Sequence, residues 1–157
     1  MYKNVLLAYD GSVEGQFALR EGARLARLCE ANVFLLAVVN VSTGLVMAEG
    51  AMPGAVEYER GVYEDVLEEG LRRLRQMGFS PTGCLETGDP AHQIAAMAEE
   101  IGADLVVVGH RHQSKLARWW HGSVGANLLE RLQCSLLIAQ LDDPDEYSIK
   151  DSLVGSI

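Results

Sequence analysis

Cysteine is scarce in this chain and never paired: Cys29, Cys84 and Cys134 are far apart, sit in apolar settings and form no Cys-x-x-Cys. That pattern excludes a disulfide framework and a thiolate zinc site, and it reads as the reduced thiols of a cytoplasmic protein. Long apolar runs are missing too. The strand-sized block 105–109 falls far short of the ~18 residues a membrane span needs, so no membrane partner is expected. Residues 1–7 enter a strand-like run at once, without the layout of a signal peptide. Positive charge is also in short supply, with 13 Lys and Arg against 22 Asp and Glu and a net charge of −9. A general nucleic-acid role needs a basic face and is excluded on that ground.

Several catalytic signatures are absent. There is no Gly-x4-Gly-Lys-Ser/Thr loop, no Gly-x-Gly-x-x-Gly after the first strand and no Gly-x-Ser-x-Gly elbow. Neither the His-x-Gly-His of nucleotidyl transferases nor the Ser-Gly-Gly-x-Asp-Ser loop of ATP pyrophosphatases occurs. A phospho-receiver domain is set aside as well, because Asp10 has no acidic neighbour and Gln140-Leu141, not a lysine, closes the last strand. Without a paired base and nucleophile the sequence offers no turnover mechanism, and any ATP hydrolysis is expected to be slow.

What remains is a chain of 157 residues, 48% hydrophobic and 22% charged, the composition and size of one α/β domain. Such a domain buries roughly 70% of its unfolded surface and needs no metal or disulfide to hold it together. Apolar strand patterns at Asn4–Asp10, Asn32–Val41, Thr82–Thr87, Asp104–Gly109 and Ser135–Leu141 alternate with helical ones. The helices are expected from the Ser12 cap to Glu30, over Glu57–Gly78, from Pro90 to Gly102, and from Ser123 to Leu132. Ser42–Val56, rich in Gly, Met and Ala, is long for a connection and reads as a loop, with Met47 and Met52 as an adaptable lid or plain surface. Strands joined by helices give a doubly wound parallel sheet, one domain over residues 1–141, followed by an acidic polar tail over 142–157. Ligands of such sheets bind beyond the carboxyl ends of the strands, at the switch in strand order.

Chemistry concentrates in one stretch. Residues 105–129 hold no acid but carry Arg111, Lys115 and Arg118, with His110, His112 and His121 interleaved. Gly109 lets the chain turn at a strand end without a side chain in a ligand's way. Gly122, Ser123 and Val124 open a helix whose free N–H groups suit a phosphate, and Lys115 and Arg118 could add charge-assisted contacts. A helix cap after an irregular loop explains the same residues without a ligand. Asp10, closing the first strand, could meet a ribose hydroxyl, hold Mg²⁺ through water, or merely cap the helix beside Gly11-Ser12. The three histidines lack an acid or cysteine to complete a zinc site, and Trp119-Trp120 reads as a pair packing the loop onto the domain.

The stretch from Gly109 to Ser123 resembles the Gly-x2-Gly-x9-Gly-Ser nucleotide motif of the universal stress protein family. The opening 3–12 run with Asp10-Gly11-Ser12, the Leu35-Leu36-Ala37-Val38 segment, Gly88-Asp89-Pro90 and 103–109 are also similar to that family, over Tyr2 to about Leu141. The resemblance implies strand order 3-2-1-4-5 and an adenine nucleotide, with ATP first in view and Mg²⁺ accompanying it. The nucleotide would lie against Ala8, Asp10, Val38, Gly109, His112, Gly122, Ser123 and Val124. It further implies a homodimer paired through the last strand, Ser135–Leu141, in which the nucleotide acts as a conformational switch in a stress response involving protein partners. One position departs from the motif: His112 stands where the family's ATP binders carry the second glycine. A side chain there could block the phosphates, or an imidazole could donate to them. A nucleotide-independent interaction module of the same fold is therefore the competing reading.

Overall fold

A computed structural model describes residues 1–40, 43–110 and 128–141. Five strands form a single sheet in the order β3-β2-β1-β4-β5: β1 Asn4–Ala8, β2 Asn32–Val39, β3 Thr82–Thr87, β4 Leu105–His110 and β5 Ser135–Gln140. All four pairings are parallel. The expected doubly wound fold and strand order are both present. The least apolar strand, β3, lies at an edge as its composition required, and the apolar β4 lies inside.

Two cores sandwich the sheet. Alternate residues of the strands (Val5, Leu7, Tyr9, Leu35, Val107) meet α1 (Val13–Cys29) and α3 (Ala55–Gln76) on one face. The intervening set (Leu6, Leu36, Val38, Val106, Val108) meets α4 (Pro90–Glu100) and Leu128 of a helical turn at 128–131 on the other. Period-two alternation in strands buried on both faces produces this split.

Local chemistry sets the helix ends. Ser12 caps α1 by accepting from Gly15 N, and Glu30 closes it in the left-handed region at φ 53°. Asp89 caps α4 through His92 N, with Pro90 in the first turn, where a missing N–H is harmless. At the opposite pole Asp104 accepts from Lys3 N at 2.6 Å and Asn4 N at 2.8 Å, joining the start of β1 to that of β4. These bonds hold the Asp104 carboxyl below the usual carboxylate range.

The connection expected as a loop over 42–56 is instead helical. α2 spans Thr43–Ala51, and α3 begins at Ala55, ahead of the expected Glu57. Gly44, Gly50, Pro53 and Gly54 give the segment a loop-like composition. Between the glycines, however, lie the helix formers Met47, Ala48 and Glu49. Glu49 also takes both bonds at the next helix start, accepting from Gly54 N at 3.0 Å and Val56 N at 2.8 Å. Gly54 itself, at φ 97°, makes the turn between the helices. No described helix is long and apolar enough to cross a membrane. The acidic tail lies outside the described residues.

Candidate functional site

The carboxyl edge of the sheet is notched. β1 pairs with β2 only as far as Ala8 opposite Leu36, and with β4 only as far as Leu7 opposite Val107. Its two neighbours run on without it, β2 through 37–39 and β4 through 108–110, each still paired on its outer side. β1 then turns away at Gly11, φ 78°, into α1 on one face. The chain after β4 leads to the helical turn on the other, so the notch lies at the topological switch point.

Backbone groups line one wall of it. The β1–β2 ladder closes with Tyr9 N donating to Leu36 O at 2.9 Å. Peptide groups alternate sides along a strand, so Val38 N–H and C=O are the next to face the notch. Neither has a backbone partner among the described residues, whereas Val39 O, pointing the other way, accepts from Gly88 N at 2.9 Å. The Val38 side chain is buried in the second core, which leaves only its backbone to meet a ligand. Half-buried Ala8 forms the floor.

Asp10 stands at the notch's α1 side. Its Oδ1 accepts from Ser12 N at 2.9 Å and from Ser12 Oγ at 2.5 Å. The carboxylate therefore orders the cap of α1, one of the roles its position allowed, while Ser12 Oγ accepts from Gly15 N at 3.0 Å. A Cβ on Gly15 would lie 2.5 Å from Asp10 Oδ1, so a side chain there would displace the carboxylate that orders the cap. Among the described residues no three His, Cys, Asp or Glu side chains gather as metal donors.

Gly109 is a glycine for a reason the sequence did not reveal. A Cβ there would lie 2.5 Å from the Glu14 carbonyl oxygen, so the end of β4 must be bare for α1 to pack on it. That side chain would point towards α1, and His110, next along the strand, belongs to the α4 face by alternation.

α3 contributes residues not foreseen as site residues. Tyr9, 2% exposed, donates its hydroxyl to Glu69, which also receives Arg73. Burial, then Glu69, push the Tyr9 phenol well above its ordinary range. Burial pulls Glu69 upward, but the bonds from Tyr9 and Arg73 outweigh it and hold the carboxyl low. One turn beyond Val66, which touches Gly11, stands half-buried Tyr63, raised first by burial and then by the charges of Asp10 and Glu59. Its spacing had placed Tyr63 on the inner stripe of the helix.

The structure thus brings Ala8, Asp10, Val38 and Gly109 together. His112, Lys115, Arg118, Gly122, Ser123 and Val124 lie outside the described residues. Met47 on α2 and Met52 just after it are each 72% exposed. His92 is exposed on α4, its Nδ1 3.4 Å from Arg131 Nη1, and it helps line a cavity of about 410 Å³ between α4 and residues 131–134. That cavity shares no residue with the notch.

The profile of the universal stress protein family matches residues 1–140. The chain belongs to the universal stress protein family. Universal stress protein YxiE of Bacillus subtilis is 28% identical over 151 residues, covering 89% of this chain and all of its own. Universal stress protein MJ0531 of Methanocaldococcus jannaschii is 26% identical over 141 residues, covering 89% and 83%. Among solved structures, hypothetical protein MJ0577 superposes at TM-score 0.71 with 23% identity, over 91% of this chain and 99% of its own. A universal stress protein in complex with cAMP superposes at TM-score 0.64 with 23% identity, over 87% and 96%. The Arabidopsis thaliana family protein At3g01520, solved with AMP bound, does so at TM-score 0.63 with 17% identity, over 91% and 98%. These structures share the fold of this chain.

Proposed function

We propose that this universal stress protein binds an adenine nucleotide in the notch, as a switch and not as a turnover enzyme. The observation that carries the reading is the Val38 backbone, one N–H donor beside one C=O acceptor with no backbone partner among the described residues, facing a gap where a strand has ended. The Watson–Crick edge of adenine offers the matching pair, an N1 acceptor and an N6 amino donor. Such a contact completes the ladder that β1 leaves unfinished, and unpaired backbone groups favour an occupant that satisfies them. Asp10, at the notch's edge, would meet the ribose. Bound cAMP and AMP in family structures support the same class of ligand.

The phosphates would rest on Gly122, Ser123 and Val124, the residues that match the family's Gly-Ser motif. Lys115 and Arg118 would supply charge, and Mg²⁺ would arrive on the phosphates of ATP, where Asp10 could meet it through water. A homodimer through β5, in the cytoplasm, would transmit occupancy to protein partners in a stress response. His112 at the motif's second glycine favours the competing reading, an interaction module that works without nucleotide.

Calorimetric titration with AMP and Mg-ATP, on wild type and Ala8→Leu, tests the site. Wild type should bind, and a leucine on the notch floor should cost tenfold or more in affinity while the circular dichroism spectrum is kept. Equal affinity in both proteins places the ligand elsewhere, and no binding in wild type supports the nucleotide-independent module.

A further inference from the structure

We propose that the cavity between α4 and residues 131–134 is a second ligand site, which takes a linear monocarboxylate of medium chain length with its carboxylate on Arg131 and His92. The volume, about 410 Å³, falls within the range of small-molecule sites. The cavity shares no residue with the notch, so the proposal stands apart from nucleotide binding. One wall is a single stripe of α4, in which Ala95, Ala96 and Glu99 follow His92 at helical spacing. The stripe reaches on to Gly102, about 15 Å from His92 along the axis. Its alanines stop at Cβ, and that shortness leaves room for a chain to lie along the helix. Across from it stand Leu132 and Cys134, both partly buried against the second core.

Charge gives the cavity a direction. Arg24, Arg60, Arg73 and Arg75 are each paired with a glutamate. Arg131 has no ion-pair partner among the described residues, and its Nη1 lies 3.4 Å from His92 Nδ1 instead. A guanidinium can only donate, so the ring accepts at Nδ1 and keeps its proton on Nε2. The remaining guanidinium N–H groups and the Nε2–H find no acceptor among the described residues. A carboxylate suits such a fork, which can hold both of its oxygens. Glu99, two turns along the same stripe, repels a carboxylate from the other end. A molecule with one acid and an apolar tail therefore fits in one orientation, its head on Arg131 and His92 and its tail along Ala95 and Ala96. A second acid at the tail would meet Glu99.

The test titrates octanoate, octanol, acetate and octanedioate into wild type, Arg131→Gln and Ala96→Phe by calorimetry, with melting temperatures of the free proteins recorded alongside. Ala96 is exposed, so phenylalanine there fills the cavity without entering the core. Wild type should bind octanoate about tenfold or more tightly than the other three compounds. Arg131→Gln should lose about tenfold or more in octanoate affinity, and Ala96→Phe should not bind it. Bound octanoate should also slow alkylation of Cys134 by iodoacetamide, read by peptide mass, and leave Cys29 unaffected. No binding to wild type, equal affinity in the three proteins, or unchanged alkylation of Cys134 overturns the site. Octanol or octanedioate binding as tightly as octanoate overturns the single-carboxylate reading.

Discussion

Tyr9 and Glu69, sixty residues apart in sequence, share a hydrogen bond that fastens the end of β1 to the middle of α3. Arg73 neutralises the carboxylate from the far side, so the buried phenol meets a charge already balanced. Tyr9→Phe should therefore destabilise the protein by about 1–2 kcal/mol in urea titration at neutral pH, the usual worth of a bond to a charged acceptor. The pH dependence has a definite sign. The Tyr9 phenol is raised in the folded state, so its contribution is complete below its unfolded value of about 10 and fades as pH rises beyond it. Glu69 is held low, so its contribution is complete above the ordinary carboxylate range and fades as pH falls through it. The gap between wild type and Tyr9→Phe should be flat between about pH 6 and 9 and should narrow at both ends. A gap that widened in alkali would show that the phenol is not the bonded proton donor.

Gly109→Ala is expected to fail through packing and not through ligand contact. The added methyl would sit 2.5 Å from the Glu14 carbonyl, a backbone atom that cannot swing aside. Moving α1 off the end of β4 should cost about 1–3 kcal/mol, a loss of roughly 3–10 °C in melting temperature for a domain of this size. The loss should be the same with and without nucleotide. Gly122→Val, by contrast, should abolish nucleotide binding and leave the melting temperature of the free protein near that of wild type. An unchanged melting temperature for Gly109→Ala would refute the packing argument.

Much of the fold was readable because burial on both faces leaves few ways to arrange such apolar strands. The runs around Leu6, Leu36 and Val107 could only be central, and Thr82–Thr87 could only be peripheral. Ser12, Glu30, Asp89 and Pro90 marked helix ends through chemistry that acts within three residues. The α2 helix was hidden because Gly44, Gly50 and Gly54 outweighed the helix formers between them, and because the Glu49 bonds to Gly54 and Val56 cannot be seen in composition. The site was half legible. Asp10, Val38 and Gly109 stood out by position, but the reason for Gly109 lies in the backbone of another element. Glu69 meets the end of β1 through Tyr9, a contact between residues sixty positions apart that composition cannot show.

Among the described residues no strand pairs with the outer edge of β5, which supports the dimer prediction. Ser135 N donates to Asp104 O, so the N–H groups of residues 135, 137 and 139 face β4 and those of Leu136, Ile138 and Gln140 face outward. An exposed edge carrying partly exposed Leu136, Leu137 and Ile138 invites pairing with a second copy. Light scattering at micromolar concentration should give twice the chain mass of 17.1 kDa. Ile138→Pro removes an outward N–H while leaving every bond to β4 in place, and proline is tolerated on such an edge. It should yield a folded monomer. A wild-type monomer, or a dimer undisturbed by proline, would move the interface away from β5.

His112 decides how far this chain follows the nucleotide-binding members of its family. Arg111, Lys115 and Arg118 already suit its loop to anions, and a protonated imidazole adds one more donor where close backbone approach is lost. We therefore expect affinity for Mg-ATP to rise as pH falls through about 6.5, the unperturbed histidine value. His112→Ala should weaken binding and flatten that profile, and His112→Gly should recover part of the affinity by restoring the familiar loop. Phosphate groups of the nucleotide titrate in the same range, so the informative quantity is the difference between wild type and each variant at every pH. If both replacements tighten binding at all pH values, the imidazole obstructs the phosphates and the contact is disproved. The two outcomes differ in sign, so a single titration series on three proteins separates them.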